Sequence, residues 1–145
     1  MATNAIAGFR GHIRVSADGT TYVALGEITD ATFQDIDDEI PADHHDDPAY
    51  HNSVAGRSKW TLRGTMNYVY NDAGQLIVRT AKSGKAPVYV KIMPYELVGR
   101  EKFTGTALVL EFGVGMPDNG IASTNINLSG VGAIVAGTIV SGDLT

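Results

Sequence analysis

Three local patterns follow one another between Trp60 and Gly132, and their order restricts the fold more than any single motif does. Trp60-Thr61-Leu62-Arg63-Gly64-Thr65-Met66-Asn67-Tyr68-Val69-Tyr70 alternates large apolar and polar side chains, the period of a half-buried strand. Asn71-Asp72-Ala73-Gly74 breaks the alternation, and Gln75 to Gly84 reads as a short helix closed by Gly84. Alternation returns from Gly105 to Val114 and again from Asn125 to Val131. In the first of these runs Leu108, Leu110 and Phe112 share one face and are expected in the core, while Ala107, Val109 and Glu111 share the other and are expected outside. In the second, Ile126 and Leu128 are expected inside and Asn125, Asn127 and Ser129 outside. Trp60, Tyr68 and Tyr70 lie on one strand face and are expected in the core.

The flanking sequence adds strands. Gly11 to Val15 alternates, Asp18-Gly19 is a turn signal, and Thr20 to Leu25 completes a hairpin. Thr32 to Ile36 is a weaker strand, and Val88 to Ile92 is a β-branched run ended by Pro94. Pro117-Asp118-Asn119-Gly120 is a turn. From Asp37 to Ser58 the periodicity is lost, which predicts a long polar loop of a length usually tied to function. The expected architecture is one domain over residues 1–145, mainly β: a barrel-like β-sandwich with one short flanking α-helix.

Charge is distributed unevenly. The net charge is −5, yet no Lys or Arg lies between Arg14 and Arg57, and Glu27 to Asp47 carries nine carboxylates. Of sixteen acids, removing those nine leaves seven against eleven bases, so the remainder is +4. A chain divided in this way has the means for contacts between copies of itself; a solvated loop is the simpler alternative. The absence of cysteine excludes disulfides and thiol chemistry. No leader is evident at the N-terminus, and Val131 to Val140, broken by glycines, is shorter than the ~20 residues that span a bilayer. A soluble protein without a membrane partner is expected.

Little in the sequence points to catalysis. His44, His45, Asp46 and His51 are weak metal candidates: their side chains suit zinc or manganese, but one polar loop supplies them all, with no partner motif elsewhere. Asp37, Asp38 and Glu39 are adjacent, so their side chains diverge instead of converging on a substrate. Ser129-Gly130-Val131-Gly132 and Gly113-Val114-Gly115 precede no helix and make no phosphate cradle. The basic residues are scattered, which argues against a nucleic-acid binder. No enzyme activity and no cofactor are expected. A monomeric β-sandwich module for carbohydrate or peptide is an alternative, although it needs an exposed aromatic platform.

Taken in order, these features resemble the major tail tube proteins of long-tailed bacteriophages. The similar features are the N-terminal hairpin, the long polar loop leading into Gly56-Arg57-Ser58-Lys59-Trp60-Thr61-Leu62, the helix opened by Asp72-Ala73-Gly74-Gln75-Leu76, and the polar strand Asn125-Ile126-Asn127-Leu128-Ser129. The resemblance implies hexameric rings stacked into a tube that conducts the genome during DNA ejection. Inner tubes of contractile tails and secretion systems share that fold and are included in the implication. Asp37, Asp38, Glu39, Asp43, Asp46, Asp47, Arg57 and Lys59 are then expected to lie between subunits, and Glu111, Asn125, Asn127 and Ser129 to face the lumen. The implied partners are further copies of the chain and other tail proteins (tape measure, terminator, sheath), with DNA only as transient cargo. The implied location is the virion tail, assembled in the host cytoplasm.

Overall fold

The computed structural model describes residues 11–26, 28–41 and 53–144. Seven strands are present: β1 (His12–Ser16), β2 (Val23–Ala24), β3 (Ile28–Pro41), β4 (Ser53–Asn67), β5 (Pro87–Met93), β6 (Glu101–Gly115) and β7 (Ser123–Thr138). They form one antiparallel sheet in the order β2-β1-β5-β6-β7-β4-β3. Among the described residues a single α-helix, α1 (Ala73–Gly84), joins β4 to β5, and a 3-10 turn (Ser141–Leu144) closes the described chain. The mainly β fold with one short helix matches the sequence expectation.

The barrel-like shape comes from curling of this one sheet. Phe33 on β3 stacks on Phe103 on β6 with ring centroids 5.2 Å apart, although β7 and β4 separate their strands. In a flat sheet strands three places apart lie about 14 Å from each other, at roughly 4.8 Å per strand. The inward face is therefore concave, and it gathers the apolar members of the paired registers: Val15 with Val90, Val88 with Ala107, and Val109 with Leu128 and Leu62. Helix α1 packs against β6, β1, β2 and β5, adding Val78 and Ala81 to the same core. Trp60, 1% exposed, occupies the other half.

The helix begins where its residues dictate. Asp72, in an extended conformation, accepts from the Gln75 backbone N–H at 3.1 Å. Buried Gln75 returns the chain to the sheet by donating to the Asn67 carbonyl at 2.9 Å. The end differs from expectation: Gly84 is the last helical residue, and the left-handed cap is Lys85, with φ 54°. The Lys85 N–H bonds the Ala81 carbonyl, so the cap is made at the cost of an unfavourable conformation for a side chain.

Three further expectations are corrected. The segment from Asp37 to Ser58 is no loop at its flanks: β3 and β4 continue as a paired ribbon to Pro41 opposite Ser53. Cross-strand backbone hydrogen bonds hold these residues extended without any apolar period, because no sheet covers either face. Tyr68 and Tyr70 are exposed, since β4 ends at Asn67 and the chain turns towards α1. The faces of β6 are also reversed. Ala107 and Val109 are buried, while Leu108 and Leu110 are exposed. Val109 pairs with Leu128 and Glu111 with Asn127, so Leu110 is an extra residue in a β-bulge that shifts the phase of the strand. Beyond it Phe112 turns inward and packs against the core. On β7 the expectation holds: Ile126 and Leu128 are buried and Asn125 is exposed.

Candidate assembly surfaces

Glu111, Asn125 and Asn127 converge on the convex side of the sheet. Register places Asn125 between Thr65 and Gly113, and Asn127 between Arg63 and Glu111. With Asp30 they line an open groove of about 370 Å³. Thr65 Oγ1 donates to Asn125 Oδ1 at 3.1 Å, and Thr29 Oγ1 donates to the Thr65 carbonyl at 3.0 Å. Ser129 follows on the same face, between Thr61 and Leu108, and lies outside the groove. The groove mixes amides and hydroxyls with two carboxylates and one guanidinium. Thr65 is engaged with Asn125, and the two carboxylates and the guanidinium leave the groove with a formal charge of −1.

The β3–β4 ribbon is a second surface. Pairing of β4 with β7 begins at Thr61, so the stretch of β4 before it is paired only with β3. Asp37 accepts from Ser58 Oγ at 2.5 Å, Lys59 lies opposite Ile36, and Glu39 lies opposite Ala55. Asp38 occupies a register shift between Asp37 and Glu39. Asp37, Asp38, Glu39, Arg57 and Lys59 are therefore exposed members of one ribbon. Ile36, Ile40 and Val54 are exposed on it too. Asp43, Asp46 and Asp47, and the metal candidates His44, His45 and His51, lie outside the described residues. Among the described residues no group of three His, Cys, Asp or Glu side chains is placed to hold a metal.

Two ionic clusters had no signal in the sequence. Asp143, nearly buried, receives Lys91 Nζ at 2.8 Å, Lys102 Nζ at 2.7 Å and the Val140 N–H at 2.9 Å. Burial opposes ionisation of this carboxyl, but the hydrogen bonds from Lys102, Lys91 and Val140 together outweigh it and hold its pKa well below the usual range. The Lys91 ammonium also lies 4.2 Å from the centre of the Tyr22 ring. Glu96 forms the second cluster, pairing with His12 Nδ1 at 2.7 Å and Arg14 at 3.1 Å. Each joins residues more than forty positions apart, which leaves no local spacing to read.

No protein-family model and no curated protein matches the sequence. Solved structures do match. A chain of the tail of an empty gene transfer agent particle, refined with C6 symmetry, superposes with a TM-score of 0.80 at 11% identity, over 90% of this chain and 98% of that one. The SPP1 tail tube gives 0.78 at 14% identity, over 94% and 81%. A chain of the anti-feeding prophage baseplate gives 0.72 at 14% identity, over 94% and 97%. Across nearly its whole length, the chain has the fold of these tail and tube subunits.

Proposed function

We propose that this chain is a structural, non-enzymatic subunit that self-assembles into stacked hexameric rings, forming the tail tube through which DNA leaves a virion. The observation that carries this reading is the likeness to a C6-symmetric tail, which takes in 90% of this chain and 98% of that subunit. The exposed β3–β4 ribbon supports the reading, because an isolated two-stranded ribbon is marginal in water and gains stability when a neighbour covers it.

The convex face that carries Glu111, Asn125, Asn127 and Ser129 is the proposed lumen wall. A wall that passes DNA must not hold phosphates, since each phosphate neutralised by Lys or Arg adds salt-dependent affinity. Among the described residues Arg63 is the one cation lining this groove, and Asp30 and Glu111 line it as well. Tape measure, terminator and sheath proteins are the proposed partners, and assembly takes place in the host cytoplasm. Likeness to a chain of the sheath–tube complex of an extracellular contractile injection system, with a TM-score of 0.67, supports a second reading, the tube of a contractile injection machine. Negative-stain electron microscopy of concentrated protein tests the proposal: six-membered rings or hollow tubes are expected, and a monodisperse monomer at every concentration rejects it.

A further inference from the structure

Resting on the tube reading, we infer that the exposed face of helix α1 is the docking surface for the acidic β3–β4 ribbon of a neighbouring copy. Most of the other described cations already have a partner or a place. Arg14 is paired with Glu96, and Lys91 and Lys102 with Asp143. Arg100 lies over the Tyr95 ring. Arg57 and Lys59 belong to the ribbon itself, and Arg63 lines the polar groove. Arg10 lies outside the described residues. What is left is Arg79, Lys82 and Lys85, all exposed on or just after α1.

The helix has no acidic residue between Ala73 and Gly84, so no i,i+4 partner neutralises these three charges. Its apolar face is used up by the core, through Val78 and Ala81. Leu76 and Tyr70 are nevertheless exposed at its N-terminal end, beside Arg79 in one shallow crevice. The exposed surface thus combines an apolar end with a cationic stripe. The ribbon offers the complement: exposed Ile36 and Ile40 among Asp35, Asp37, Asp38 and Glu39. Within one copy the main neighbours of α1 are β6, β1, β2 and β5, and that of β3 is β4. A contact between unlike surfaces of identical chains is heterologous, and such contacts build rings or open stacks instead of closed pairs. Each ion pair adds little by itself, but a ring and a stack repeat the contact many times.

Charge exchange tests this contact. The helix variant R79E/K82E and the ribbon variant D38K/E39K alter exposed side chains, and circular dichroism should show both folded. Each is expected to slow tube growth at low salt at least tenfold, measured by light scattering and electron microscopy. The chain carrying all four substitutions is expected to recover growth, since the signs are again opposite. Normal growth by R79E/K82E, or failure of the combined chain to recover, overturns the contact while leaving the tube reading intact. Failure of the unaltered chain to assemble overturns both.

Discussion

The indole of Trp60 packs against Gly130 so closely that a Cβ there would come within 2.2 Å of Nε1 and 2.3 Å of Cε2. The same ring reaches β6, where a Cβ on Gly105 would come within 2.7 Å of Trp60 Cζ2. Trp60 thus spans β4, β7 and β6 on the concave face, and the two glycines make room for it. Gly130→Ala is expected to destabilise the fold by about 2 kcal/mol through overpacking. Gly84→Ala, in open space at the end of α1, should be neutral or stabilise by about 0.5 kcal/mol. Chemical denaturation of the two variants checks the contrast, which an unchanged midpoint for G130A would remove.

Asp143 ties the closing turn to β5 and β6 through Lys91 and Lys102. Replacing it with Asn leaves two ammonium groups without their carboxylate, at an expected cost of about 2–3 kcal/mol at pH 7, somewhat under the range for a fully buried pair. Its pKa is depressed in the folded state, so the stabilisation is complete above the ordinary aspartate value of about 4 and fades as the pH falls below it. Thermal melts of the wild type and D143N should therefore converge at low pH. A constant gap between them down to pH 2 would contradict the ionic account.

The two ends of α1 should respond with opposite signs. Asp72→Ala removes the side chain that accepts from Gln75 N and should cost about 1 kcal/mol. Lys85→Gly relieves a positive φ of 54° and should stabilise by roughly 0.5–1 kcal/mol. Equilibrium unfolding of both variants reads the signs directly.

Ribbon amides from Asp35 to Ile40 lie on a strand paired only with β4, outside the part of β4 that β7 supports. They are expected to exchange hydrogen rapidly in free subunits and to be protected in tubes. Equal protection in both states would show that the ribbon takes no part in assembly.

The lumen assignment makes its own prediction. Glu111→Lys reverses a charge in the polar groove that Arg63 also lines, so tubes of this variant should retain linear DNA at low salt and release it as salt rises. Wild-type tubes should retain little at any salt. If E111K tubes bind DNA no better than wild type, the groove faces elsewhere.

Much of the local structure was legible in the residues. The helix was legible from Gln75 to Gly84, two residues short of its start at Ala73, and the alternation from Asn125 to Ser129 marked both the strand and its polar face. These features depend on interactions within a few residues of chain, which is what periodicity and capping record. The faces of β6 were not legible, because the bulge at Leu110 arises from register against Leu128 and Asn127 on another strand. Leu108 and Leu110 read as core by period, yet Ala107 is what fits where Gly130 pairs beneath Trp60. The ribbon was missed for a related reason: Asp37 and Ser58 are held by each other, and a strand that buries nothing has no hydrophobic period. Asp143 and its two lysines are assembled from distant positions, so the chain alone determined its strands and helix, while tertiary pairing decided which side chains are covered and which remain for a neighbour.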